Sequence, residues 1–345
     1  MKRTLPLALF VFMLLLAARS MAQQDIHFTQ FYELPMLRNP ALSGLFNGSL
    51  RFTSAYRSQW ASVTTPYRTM ALGAEVNIAK GFTAGDFMTL GVQVTNDIAG
   101  DSRLSRSQFM PVINYHKLLN EEHSTLLSLA FMGGWVTESF DPTHLRFDDQ
   151  FVNGSYSASN PTSQTFSRTG FQYYDLSTGL SFSTVVGGST KLYAGASMFH
   201  ILEPSLTFMQ DNDIHLNRKY GVNAGMMTNT GEYTRLTAYA DYFMQGGSRL
   251  FQLGLLYSYD LSAMNDGSPW TITGGLVYRH KDAAMAVAKF NNARFSFGLS
   301  YDVNISKLST ASTYRGGLEL TFAFIGLWNA DKVASSKVQC PTDIW

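Results

Sequence analysis

The sequence predicts an all-β protein: a closed antiparallel transmembrane β-barrel of about 14 strands, of the outer-membrane type. Three observations carry that prediction. Alternating apolar and polar stretches recur along the chain, they are long, and tight turns share the connections with two long loops. In 294–304, RFSFGLSYDVN, the residues Phe295, Phe297, Leu299, Tyr301 and Val303 take one side of a two-residue period. Arg294, Ser296, Gly298, Ser300, Asp302 and Asn304 take the other. A strand so divided stands between an apolar medium and a polar one.

The first 22 residues read as a signal peptide rather than as part of the fold. Lys2 and Arg3 precede an apolar run from Leu5 to Ala18, and Ser20-Met21-Ala22 supplies small residues for cleavage before Gln23. After that point no apolar run approaches the roughly 20 residues of a membrane helix. The single cysteine, Cys340, has no internal disulfide partner. Charged residues make up 15% of the chain against about 25% in soluble domains, and the net charge of +1 points to no nucleic-acid partner.

Alternation then marks strands near 49–57, 67–78, 86–97, 104–116, 123–140, 173–185, 190–201 and 219–229. It marks others near 233–245, 249–260, 270–280, 283–290, 293–304 and 314–324. In 249–260, Phe251, Leu253, Leu255, Tyr257 and Tyr259 share one face; in 173–183, Tyr174, Leu176, Leu180 and Phe182 do. No stretch carries a convincing helical stripe, 325–338 being the best attempt. Gly187-Gly188, Asn229-Thr230-Gly231 and Asn291-Asn292 are tight hairpin chemistry. The long excursions 141–172 and 202–218 are two strands apart, so they emerge at one rim, opposite the termini. The chain thus divides into a signal peptide (1–22), an N-terminal periplasmic or lumen segment (23–48), a barrel (49–324) and a periplasmic tail (325–345).

A secreted β-sandwich would also alternate. Against it stand the strand lengths, the glycine and serine of the polar faces, and aromatic residues gathered toward strand ends, as interfacial girdles require. The apolar rows are therefore assigned to lipid.

Local signatures narrow the reading. After Gln23 comes QQDIHFTQFYELPMLRNPALSG, then YRSQWASVTTPYRTM at 56–70, SYDVNISKLSTASTYRGGLELTF at 300–322 and a terminal CPTDIW. The most telling residues are Asn39-Pro40 with Ser43-Gly44, Gln59-Trp60 followed by Pro66-Tyr67, Asp302 and Asn304 in the Tyr301–Asn304 strand, and Gly316-Gly317 with Glu319. From Gln23 onward the chain resembles the PorP/SprF family of outer-membrane proteins of the type IX secretion system and gliding machinery. Family members end close to Cys-Pro-Arg-Phe, whereas here Thr-Asp-Ile-Trp follows Cys340-Pro341. The resemblance implies an outer-membrane barrel that works with other secretion or gliding subunits and, in some members, holds a secreted adhesin at the cell surface through its C-terminal domain.

Enzyme chemistry finds no foothold in the sequence. GxSxG, HExxH, Walker and dinucleotide motifs are lacking, and the seven histidines are scattered without metal-like spacing, so no catalytic, cofactor or metal residue is assigned. Asp148-Asp149 and Asp211-Asn212-Asp213 do not meet EF-hand spacing and read as solvated acidic loops.

The polar faces say more. They direct Arg51, Arg57, Glu75, Asp175, Arg235, Asp241, Asp260, Arg279, Arg294, Asp302, Arg315 and Glu319 into the lumen, in near balance of sign. Arg294 with Asp302, and Arg315 with Glu319, are expected on hairpin neighbours. An internal ion-pair network is the preferred reading, a selective eyelet the other. The segment 23–48, with Pro35 and Pro40, is expected to pack inside or under the barrel. Phe147, Phe151, Tyr156 and Phe166 in the first long loop are aromatic anchors among polar residues, as suits a protein partner. Two functions stand: an interaction barrel that anchors secreted cargo or secretion subunits, and a porin or transporter for small solutes.

Overall fold

Period-two alternation over long runs gives each strand one face for hydrocarbon and one for a polar interior, and closure removes the unpaired edges that lipid does not tolerate. A computed structural model describes residues 25–326 apart from 62–64, 79–82, 84, 153, 158, 207, 209–213, 264–269 and 308. The segment 1–22 read as a signal peptide, Asp211-Asn212-Asp213 and the tail with Cys340 lie outside the described residues.

The strands are β1 Leu50–Gln59, β2 Tyr67–Ile78, β3 Phe87–Ala99, β4 Leu104–Asn120, β5 Thr125–Ser139, β6 Phe151–Val152, β7 Ser155–Tyr156 and β8 Gly170–Val186. They continue with β9 Thr190–Phe199, β10 Lys219–Asn229, β11 Thr234–Gln245, β12 Ser248–Asp260, β13 Thr271–Arg279, β14 Ala283–Asn291, β15 Phe295–Asn304 and β16 Arg315–Gly326. All but β6 and β7 form one closed sheet of antiparallel neighbours, sealed by β1 against β16 with Leu50 opposite Gly326 and Gln59 opposite Gly317. This is the predicted 14-stranded barrel. The two-residue strands β6 and β7 make a small hairpin inside the first long loop, too short for alternation to reveal.

The apolar rows face outward. Phe297, Leu299 and Tyr301 on β15 are exposed, while the alternating Gly298, Ser300 and Asp302 are buried. Leu276 at the middle of β13 is 70% exposed. Such side chains ring the barrel, an apolar surface far beyond the few hundred Å² that a soluble monomer shows. At roughly 25 cal/mol per Å² only a hydrocarbon surround stabilises it. No helix among the described residues is long and apolar enough to cross a membrane.

The N-terminal segment fills the interior. Phe28 to Phe46 is buried throughout, in three single turns: Phe31–Glu33, Pro35–Arg38 and Pro40–Leu42. Pro35 and Pro40 each open a turn, where a missing N–H costs nothing. Phe28, Phe31, Leu34 and Met36 pack against Met110, Met132, Phe199 and Phe243 of the inner wall, forming the core of the molecule.

Candidate functional site: a plugged lumen and its outer mouth

The end bearing the two long loops is the outer end by the outer-membrane rule. The plug descends from there. Asp25 contacts Lys219, the first residue of β10, at the outer rim. Thr29 meets Asp302 and Glu319 in the outer third of the wall, and Gly48 sits against Ile325 at the inner end. The first described residues thus lie on the cell-surface side.

Opposite charges fix the plug at each level. At the top, the backbone N–H groups of Thr29 and Gln30 donate to the two oxygens of Glu319, both at 2.7 Å. Arg57 binds Glu319 at 3.0 Å and Asp302 at 2.5 Å, and Arg279 bridges Asp282 at 3.0 Å and Asp302 at 3.8 Å. Arg57 stands directly opposite Glu319 across the β1–β16 seam, so barrel closure itself makes the pair. Lower down, Lys289 pairs closely with Glu33, and Arg38 Nε donates to Asp241 at 2.6 Å. Near the inner end Arg51 binds Glu75, its cross-strand partner on β2, at 2.9 Å, and Glu75 accepts from Gly44 N–H at 2.7 Å. Opposite charges thus join plug and wall at each level of the lumen.

The signature residues serve the same end. Asn39 Nδ2 reaches Leu180 O at 3.1 Å, Ala196 O at 3.3 Å and Asn223 Oδ1 at 3.0 Å, while its Oδ1 caps the turn through Ala41 N–H. Pro40 follows as the first residue of that turn, and Gly44 just after it has φ +84°, a backbone that favours glycine. Gln59, with its amide turned to present oxygen, accepts from Arg57 Nε at 2.6 Å. Trp60 stacks on Tyr67 across the first outer turn, ring centroids 5.7 Å apart. Asn304 accepts from Ser306 N–H at 2.9 Å and donates to Ser312 at 3.1 Å, shaping the last outer loop, and Gly317 packs against Gln59.

Three expected lumen charges are corrected. Arg235, Arg294 and Arg315 are exposed at strand ends, and Arg294 belongs to the β14–β15 turn. They fall past the last inward position that the plug covers, where water competes for the guanidinium. Asp302 and Glu319 take Arg57 in their place.

Other lumen charges were not foreseen: Lys219, Lys289 and Arg106 on the wall, Asp25, Glu33 and Arg38 on the plug. On β14 the inward Met285 and Val287 pack near Tyr32 while Ala284, Ala286 and Ala288 face out, so the polar side of the alternation looked apolar. Lys289, two residues beyond Val287, was the one available signal.

At the outer mouth the long loops hold each other. Phe208 packs edge-on against Phe140 and Phe171, at 5.0 and 4.8 Å, and Phe166 against Phe140 and Phe147. Phe147 and Tyr156 are half-buried, whereas Phe151 is 54% and Phe166 42% exposed; Val152 on the same loop and Leu202 and Ile214 on the second long loop are exposed as well.

The fold and its filled interior define a plugged outer-membrane β-barrel. Residues 20–324 match the family described as type IX secretion system membrane protein PorP/SprF, and the chain belongs to that family. It is an outer-membrane component of that secretion system. In fold it is similar to the crystal structure of the Ralstonia pickettii toluene transporter TbuX, with a TM-score of 0.50 and 12% identity over 85% of this chain and 93% of that one. A Pseudomonas aeruginosa FadL homologue gives 0.46 and 9%, over 83% and 92%. The P. putida toluene transporter TodX gives 0.46 and 8%, over 84% and 93%. At these identities the likeness is of fold alone. No curated relative matches the sequence.

Proposed function

We propose that this chain is a non-enzymatic scaffold of the type IX machinery, whose outer loops hold secreted cargo, such as an adhesin C-terminal domain, or another secretion subunit at the cell surface. One observation carries the reading: the N-terminal segment occupies the lumen through paired charges and apolar packing, while apolar side chains on the outer loops remain exposed. A lumen so filled favours anchoring over solute passage. Exposed Phe151, Val152 and Phe166, with adaptable Ser and Asn around them, have the composition of a contact surface.

The test is a pull-down of the tagged protein from outer membranes in mild detergent, with bound proteins identified by mass spectrometry. Cargo or secretion subunits are expected with the full chain and lost when 146–168 is trimmed, with barrel assembly intact. Equal recovery after trimming refutes a loop-borne partner. Planar-bilayer recording adds a second arm: the full chain is expected to be closed and a 23–48 deletion conducting. An unchanged trace upon deletion refutes the plug.

A further inference from the structure

The plug is not held evenly. From Phe28 to Phe46 every residue is buried, but Asp25, Ile26 and His27 are only partly so. That outer tip depends on charge more than on packing. Lys219 Nζ lies 2.6 Å from Asp25 Oδ2, Arg106 Nη1 3.4 Å from Oδ1, and His200 Nε2 3.7 Å from Oδ2. His200 Nδ1 is 2.6 Å from Asp175, Arg106 Nε is 3.4 Å from Glu138, and Tyr173 donates to Glu138 at 2.9 Å. On β3, Asp97 faces Arg106 and accepts from Thr69 at 2.5 Å. Four carboxylates, Asp25, Asp97, Asp175 and Glu138, thus gather around Arg106, Lys219 and His200.

These groups are also the footings of the outer loops. His200 opens the 200–218 connection and Lys219 closes it; Glu138 on β5 and Asp175 on β8 flank the 140–169 loop. Ile201 N–H donates to Leu176 O at 2.9 Å, and Leu216 of one loop packs with Val136 and Tyr173 beneath the other. Beside Asp25 a cavity of about 20 Å³, room for one water, is bounded by Phe31, Asp175, Phe199, His200 and Lys219. The carboxylate therefore has space to be re-aimed without displacing the packed body below.

We propose that this cluster is a releasable latch coupling the outer end of the plug to the two long outer loops, so that rearranging either loop frees the tip while the plug body stays seated. Coupling of this kind is reciprocal: freeing the tip loosens the loops by the same factor. The latch follows from the barrel geometry whichever partner docks on the loops.

The test uses the full chain in detergent, with Cys340→Ser, and a single reporter cysteine at Ile26 (tip) or Ser43 (body) challenged with a water-soluble maleimide. Heat-modifiable migration on gels reports barrel folding, and hydrogen exchange follows 200–218. With Asp25→Asn, labelling at position 26 is expected to rise about tenfold or more, because Lys219 and Arg106 lose the carboxylate that holds the tip. Position 43 is expected to stay protected, and the 200–218 amides to exchange faster. Phe208→Ser, which removes the contact between the loops, is expected to raise labelling at position 26 from the other side of the linkage. If Asp25→Asn does not fold, Lys219→Gln serves in its place. The proposal is overturned if a folded variant leaves position 26 unchanged. It is equally overturned if position 43 is exposed in step, so that the plug leaves as one body, or if the loop amides do not respond.

Discussion

Arg38 and Asp241 meet at 2.6 Å in the centre of the lumen, both almost wholly excluded from solvent. The guanidinium carbon lies 5.3 Å from the ring centroids of both Tyr193 and Tyr239. Plug and wall are joined here by one ion pair between two aromatic faces, and cation–π contact adds to it where water is absent. Removing one partner leaves a buried charge. Arg38→Met is expected to cost about 3–5 kcal/mol, read as a lower midpoint for heat-modified migration on gels. Adding Asp241→Leu should return much of the loss, since a buried pair replaced by apolar groups is often neutral. No recovery in the double variant would show that the pair is not isolated from its neighbours.

Asn39 fits its berth only because two wall positions lack a Cβ. One added to Gly179 would stand 2.0 Å from Asn39 Oδ1, and one on Gly195 would stand 2.6 Å from Nδ2. Gly179→Val is therefore expected to force the turn Pro40–Leu42 off the β8 wall and expose position 43 to maleimide, in a barrel that still closes. Protection equal to the parent would mean that the turn has another seat.

The barrel was legible because lipid and lumen impose opposite demands on successive residues, and every strand but the tiny β6–β7 pair is long enough to display that alternation. That the two long loops share one rim followed from turn chemistry, but the expected place of the N-terminal segment opposite them did not hold: Asp25 reaches Lys219 and His200 at the loop rim. The partnerships inside did not. Arg57 meets Glu319 because β1 closes on β16, and no turn links those strands to announce the register. Arg38 and Glu33 sit in a segment whose single helical turns have no period to read. Asn39-Pro40 was visible as a signature, but what Asn39 wedges against depends on glycines more than a hundred residues away.

Protonation sets the strength of the contacts around Asp25. Burial raises its carboxyl, but Lys219, His200 and Arg106 outweigh burial and hold it well below the ordinary 3.8. Burial lowers His200, but its contacts with Asp175 and Asp25 outweigh that and lift it above 6.5. A depressed carboxylate stabilises above its unfolded value and loses the effect as pH falls through the folded one. A raised histidine stabilises fully below 6.5 and loses the effect as pH rises through its elevated value. Labelling at Ile26→Cys, divided by that at exposed Ser189→Cys to cancel thiol ionisation, is thus expected to be lowest between the two values. It should climb on the alkaline side of the raised His200 value, and His200→Gln should remove that climb. A flat ratio in the parent would mean that His200 carries no charge at this contact.

Leu276 decides which medium the outer face meets. It lies mid-strand on β13, 70% exposed, with Thr273 and Val277 pointing inward on the same strand. In hydrocarbon, an arginine at such a depth costs about 2–4 kcal/mol, falling toward zero near the interfaces. Leu276→Arg is therefore expected to reduce the yield of heat-modifiable barrel in vesicles. Arginine in place of Tyr278, closer to the outer rim, should cost less. Were the face wet, both substitutions would be harmless and would raise solubility without detergent. A depth-dependent penalty has no counterpart on a protein surface in water, because exposed charge there is equally solvated at every height along a strand.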